Sequence, residues 1–218
     1  IVGSVRGELG GQVHFGTVDA MYTNAGLALH EALGRFHDLA PKVMLNIETA
    51  SPQQLQQRLL DGRYFLIMTP IQSPHAHIAA VPVFEETQML YCGAGHPLFE
   101  RPPRKLDMAM LRDFPYAARN YMGNWTGPHG VTFRPAAMTA HMESLAMLIL
   151  SGRYIGYLPA HYADAWVREG RMKSLLPREM AYIDTFYLAH IASENNRAMS
   201  TLREGVLGHI GADRLPRY

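Results

Sequence analysis

The chain has 218 residues, 48% of them hydrophobic and 18% charged, a mixture that excludes intrinsic disorder and can bury a core without disulfide or metal staples. Twenty Lys and Arg stand against 19 Asp and Glu, and neither sign forms a long block, which argues against a basic nucleic-acid-binding surface within this segment. The single cysteine, Cys92, excludes an intramolecular disulfide and a multi-cysteine metal site, and fits a reducing compartment.

The sequence opens Ile1-Val2-Gly3-Ser4 with no initiator Met, basic n-region or apolar h-region, so it offers no signal peptide to read. The apolar stretch Leu145 to Leu150 is far shorter than the roughly 20 residues that cross a bilayer. The expectation is a cytoplasmic piece of a longer chain. Its length suits one large unit or two small lobes.

In chain order, the apolar run Val13 to Val18 predicts a strand. The spacing of Ala25, Ala28, Leu29, Ala32, Leu33, Phe36 and Leu39 then predicts a helix over 24–39, ended by Pro41. Val43 to Ile47 alternates as a strand. Ser51-Pro52-Gln53-Gln54 is a strong helix start, with a Ser cap, Pro at the first helical position and Gln at the third. That helix stops at Asp61-Gly62, and Tyr64 to Met68 reads as a strand buried on both faces. The first 70 residues thus spell β-α-β-α-β, a parallel unit.

Ile78 to Val83 and Gln88 to Cys92 are extended runs that bracket Glu85-Glu86. Leu106 to Leu111 predicts a short helix, and a strand is expected near Pro115. The 121–135 stretch is irregular. A helix over 142–150, a strand over 154–158, a helix over 160–169, a strand over 186–191 and a last amphipathic helix through Met199 to Ile210 complete the chain.

Several of these segments resemble one known family, the effector-binding domain of LysR-type bacterial transcriptional regulators. Glu8 to Gly16 resembles its opening G-x-L-x-G-x-h-x-h-G strand. Phe36 and Pro41, then Leu55, Leu59 and Gly62, match its F…P and L…L…G positions. Gly95-His96-Pro97-Leu98 is similar to its H-P-L segment, and Ser151 to Pro159 to its a-G-x-G-h-x-h-L-P. Two positions depart from the pattern. Phe65 stands where the family usually carries Asp, and Tyr154 fills a small-residue step.

The resemblance implies an α/β fold of two Rossmann-like lobes joined by two crossover strands, like a type II periplasmic binding protein, with a small effector held between them. Lobe I is expected over 1–87 plus 190–218 and lobe II over 88–189, with crossovers at 81–92 and 184–191. The family's N-terminal winged helix-turn-helix has no counterpart in these residues, so DNA would be met only through that domain. The resemblance also implies a homodimer through the helices 24–39 and 160–169, a tetramer in the full-length protein, and no membrane partner.

In open parallel sheets ligands sit beyond the carboxyl ends of strands and at helix N-termini, where free N–H groups favour anions. The expected effector-binding residues are therefore Asp19, Ala20, Met21 and Tyr22, then Thr49, Ala50 and Ser51, then Thr69 and Pro70. From the second lobe come Arg119, Asn120 and Tyr121, with His141, Glu143 and Ser144 at a helix start. Arg119 is the favoured anion clamp, its fork matching a carboxylate. Tyr121 and Trp125 could wall an apolar ligand, and together with the Met-rich loops they point toward an anionic or aromatic acid.

Each residue has a blander role. Ser51 is first a helix cap, Asp19 a turn residue, and Arg119 half of a surface ion pair. His75-x-His77 reads as a solvated loop better than as a metal site, Cys92 as a packed strand residue, and the thirteen methionines as core filler. No metal or cofactor is expected, and both G-x-x-x-x-G-K-[ST] and G-x-G-x-x-G are missing. The competing readings are a secreted solute-binding protein of the same fold and an α/β enzyme using His141, Glu143 or Cys92.

Overall fold

The computed structural model describes residues 9–73, 75–122 and 125–210. Glu8, at the head of the first motif, and the opening Ile1 to Ser4 lie outside them. The chain divides into two units, one built from the residues up to Phe84 and from Thr185 onward, the other from Glu85 to Asp184.

In the first unit, β1 (Gly10–Thr17) pairs in parallel with β2 (Lys42–Thr49) and β3 (Leu66–Pro70), and β3 pairs antiparallel with β9 (Tyr182–Ile191). The expected β-α-β-α-β order is present. β3 is buried from Leu66 to Thr69, as its continuous apolar run requires. Helix α2 (Pro52–Leu60) begins as read: the Gln54 N–H donates to Ser51 Oγ at 3.3 Å, and the Ser51 N–H donates to Gln54 Oε1 at 3.2 Å. Such a reciprocal box satisfies two of the helix's orphan donors.

Helix α1 (Leu29–Leu39) is shorter than the predicted 24–39. Ala28 lies in the left-handed region at φ 41° and Asn24 Oδ1 accepts from the Leu27 N–H at 3.1 Å. The apolar spacing of 25–28 therefore belongs to a turn, not to the helix. Leu29, Ala32 and Phe36 of α1 and Ala198, Met199, Leu202, Val206 and Ile210 of α6 (Arg197–Ile210) enter one core with Val13 and Phe15.

In the second unit, β4 (Ile78–Gly93) pairs antiparallel with β7 (Ile155–Pro159) and with the three-residue β8 (Met172–Ser174). β5 (Tyr116–Arg119) lies parallel to β7 and to β6 (Pro135–Thr139). The chain reading missed β6 and β8. Proline opens β6, and β8 is too short to carry a period. The helix predicted over 106–111 is only α3 (Met108–Leu111), because Asp107 caps it by accepting from the Met110 N–H at 2.8 Å. Helices α4 (Met142–Leu150) and α5 (Ala160–Arg168) fall where expected. The strands β4 and β9 run through both units.

Gly152 shows why the Ser151-Gly152 step follows α4. Its φ is +69°, and a Cβ there would lie 2.6 Å from the Ala94 carbonyl oxygen. Only glycine fits both constraints. Cys92 is buried on β4, and burial pushes its thiol up to about 12, so the sulfur packs as a small apolar group. The methionines divide: Met21, Met68 and Met199 are core, whereas Met44, Met138 and Met147 are more than half exposed.

Candidate functional site

The strongest chemistry lies in the second unit. All four residues of β5 are buried, and its last residue, Arg119, ends the strand with only 6% exposure. Parallel register sets Arg119 beside Thr139 at the carboxyl end of β6. The Thr139 and Ser144 hydroxyls are 2.6 Å apart at the start of α4. His141 stands at the N-cap of that helix, and both His141 and Glu143 are exposed.

Tyr121, Tyr182, Asp184 and Glu86 lie near the guanidinium, and Gln88 and His161 hold Glu86. The guanidinium Nη2 donates to the Tyr182 hydroxyl of β9 at 3.3 Å, and its carbon sits 5.2 Å from the ring centroid of Tyr121. Alternation along β4 turns Glu86 and Gln88 to one face, where the Gln88 amide donates to Glu86 at 2.6 Å. The turn from β7 into α5 brings His161 Nε2 within 2.8 Å of the other Glu86 oxygen. Asp184, two residues beyond Tyr182, completes the cluster.

The accounting around Arg119 is incomplete. Its Nε has no hydrogen-bond partner, nor does the Gln88 carbonyl oxygen, and both atoms are buried. Among the described residues Arg119 makes no ion pair. Burial works to lower its pKa, but Tyr121, Tyr182, Asp184 and Glu86 together outweigh that and raise it, so the group stays cationic. Asp184 is pushed up to about 6, chiefly by burial, with Arg119 opposing and Glu86 reinforcing the shift. Burial also raises the Tyr182 hydroxyl, keeping it a neutral acceptor for Arg119. A buried cation with an unmade N–H bond costs several kcal/mol, of order 3, unless a counter-anion arrives.

In the first unit the strand ends carry hydroxyls. Thr17 closes β1 with its Oγ1 buried and unpartnered. Thr69 is fully buried, its hydroxyl 3.4 Å from the Pro70 carbonyl. The Ala50 N–H donates to the Thr17 carbonyl at 3.0 Å, and Thr49 is exposed beside Ser51, the α2 cap. Asp19 is half-buried. Ala20, at φ 65°, leads into a short 3-10 turn that buries Met21 and leaves Tyr22 81% exposed.

The sequence reading named Arg119 and Tyr121, which the structure brings together, and also Asn120, which is exposed. It missed Thr17, Glu86, Gln88, His161, Tyr182 and Asp184. The available signal was the polar run Glu85 to Gln88 inside an otherwise apolar extended segment. His75 and His77 are exposed, with ring centroids 5.4 Å apart, and no group of three or more metal-ligating side chains occurs among the described residues.

The model of the LysR substrate binding domain matches residues 6–210. This chain belongs to that family. The HTH-type transcriptional activator BauR of Pseudomonas aeruginosa is 30% identical over 183 residues, which cover 83% of this chain and 60% of BauR. The chain thus spans less than two thirds of that relative. The HTH-type transcriptional regulator CysB of Burkholderia cenocepacia is 33% identical over 92 residues, 42% of this chain and 29% of CysB. Among solved structures, the effector-binding domain of QuiR in complex with shikimate has a TM-score of 0.75 at 13% identity, covering 92% of this chain and 97% of that one. CrgA of Neisseria meningitidis has a TM-score of 0.72 at 14% identity, covering 93% and 69%.

These structures share the fold expected from the LysR resemblance, the type II periplasmic-binding-protein-like α/β architecture. Nothing in the likenesses favours the secreted solute-binding alternative, since the relatives are named as transcriptional regulators. Among the described residues no helix of this LysR domain is long and apolar enough to cross a membrane.

Proposed function

We propose that this LysR domain senses a small organic anion, a carboxylate with an apolar or aromatic body, and that Arg119 is its charge anchor. One observation carries the reading: a buried guanidinium that ends a strand with no ion pair among the described residues and with an unmade Nε–H bond. A carboxylate would take that bond and the charge together. Tyr121 and Tyr182 supply aromatic walls, and Thr139, His141, Glu143 and Ser144 lie at the α4 N-terminus, whose dipole favours negative charge. Within the first unit itself, the Thr17 hydroxyl is the uncommitted donor at the strand ends, since the Ser51 hydroxyl is held by Gln54 and that of Thr69 by the Pro70 carbonyl.

Effector binding would control transcription only through a difference in affinity between two states of the full-length, cytoplasmic regulator. DNA would be held by a domain outside these residues. Self-association fits α1 and the adjoining edge strand β2, where Leu39 is 66% and Met44 64% exposed. In the second unit the helix α5, where Val167 is 39% exposed, would be the second contact, in the dimer and in a tetramer of the full-length protein.

Calorimetric titration of the 218-residue chain with benzoate and with shikimate tests the reading. Saturable binding of either, with one site fewer in Arg119→Met, supports it. Binding that survives unchanged in Arg119→Met overturns the anchor, and no heat from either compound overturns the class of effector.

A further inference from the structure

The first unit has a second feature that strand-end chemistry does not use. A recess of about 530 Å³ opens on the sheet face beside α2, lined by the first half of β1, by Glu48 and Arg58, and by the segment 62–65 that leads into β3. Its floor runs along the amino-terminal half of β1, and only Glu48, paired with Gly16, reaches toward the carboxyl ends of the strands. Its volume lies within the range of small-molecule pockets.

One wall is a closed polar triad. Arg58 Nη1 donates to the Tyr64 hydroxyl at 2.8 Å and to Glu48 at 3.2 Å, and the Tyr64 hydroxyl donates to the same Glu48 oxygen at 2.8 Å. Within it Arg58 offsets Glu48, and the rest of the Arg58 fork is uncommitted. Burial and the Glu48 bond raise the Tyr64 hydroxyl above its usual range, so it adds no charge. The Arg63 guanidinium makes no ion pair among the described residues, which leaves the recess net positive. The opposite wall is aromatic, with the His14 and Phe65 rings meeting edge-on at 6.1 Å. Phe65 occupies the position where the family pattern carries an acid. Its ring supplies a flat apolar surface in the same recess as the Arg63 cation.

We infer that this recess is a second ligand site, for a small aromatic carboxylate whose anionic end meets Arg63 and the free edge of Arg58 and whose ring lies on Phe65 and His14. The site is independent of the anchor at Arg119.

The experiment is a titration of the isotope-labelled 218-residue chain with benzoate, followed by amide NMR. The signals of Gly62, Arg63 and Phe65 and the Gln12 side-chain amide should move together and saturate. Arg63→Gln, an exposed change that leaves the core intact, should weaken this titration about tenfold, the usual effect of losing one charge-assisted bond. Phe65→Asp should abolish it while remote signals stay in place. Arg119→Met should leave it intact. Three results would overturn the inference: no movement of these signals, an unchanged titration in Arg63→Gln, or equal shifts with sulfate in place of benzoate. Shifts confined to the surroundings of Arg119 would overturn it too, while leaving the anchor reading in place.

Discussion

Replacing Arg119 by methionine separates a ligand anchor from a structural ion pair, because the two give stability changes of opposite sign. In the ligand-free protein Arg119 gains one long hydrogen bond to a neutral hydroxyl, one contact with the Tyr121 ring face, and the attraction of Asp184 and Glu86. The first two contribute roughly 1 kcal/mol and 1–2 kcal/mol respectively. Against them stand the desolvation of the guanidinium, of order several kcal/mol, and the unmade Nε–H bond, about 1–3 kcal/mol. Glu86 keeps His161 at 2.8 Å and Gln88 at 2.6 Å without it. Arg119→Met should therefore leave the unfolding free energy nearly unchanged at about pH 7, where Asp184 is ionised, and raise it by about 1–3 kcal/mol where Asp184 is protonated. The gain should be larger at about pH 5, where Asp184 is mostly protonated and attracts the arginine less, than at about pH 7. Urea denaturation followed by tryptophan fluorescence measures both. A loss of roughly 3 kcal/mol or more at about pH 5 would refute the reasoning, since that is the signature of a broken buried pair.

Other outcomes follow from the same geometry. Asp184 has a folded pKa of about 6, above its unfolded value of 3.8, so the folded state binds the extra proton. Its contribution to stability is present at low pH and is lost as pH rises from about 4 to about 6, by at most about 3 kcal/mol. Asp184→Asn should remove that slope from the urea midpoint measured against pH, and an unchanged slope would contradict the assignment. His96 titrates in the opposite sense: burial and then Arg153 lower its pKa, so its contribution is lost as pH falls below about 6.5. In His96→Gln that acid-side loss should shrink. Gly152→Ala should cost at least ~2 kcal/mol, from the left-handed backbone and the clash with the Ala94 carbonyl, as read by thermal unfolding. Ser51→Ala should cost about 1 kcal/mol by breaking the α2 capping box, and a null result would mean that Gln54 alone holds that turn.

What the sequence disclosed followed from the range of the physics involved. The α2 start was legible because a capping box is written in four consecutive residues, and β3 because burial on both faces demands an unbroken apolar run. The start of α1 was not, because Ala28 adopts a left-handed conformation that its residue type does not advertise. Arg119 could be found by asking which side chains end parallel strands. Its setting could not: Glu86, His161, Tyr182 and Asp184 come from three elements far apart in the chain, and only tertiary packing makes them neighbours. The recess at Arg63 was invisible for the same reason, although Phe65 already stood out as a departure from the family pattern.

The account rests on the orphaned Nε–H of Arg119, and NMR of arginine side chains observes that group directly. In the free protein it should give a protected signal, distinct from the surface arginines. Saturating benzoate should shift it strongly downfield as a carboxylate bond forms. An Nε–H that exchanges freely with water, or one that benzoate leaves where it was while binding is complete, would contradict the claim that this cation waits for an anion.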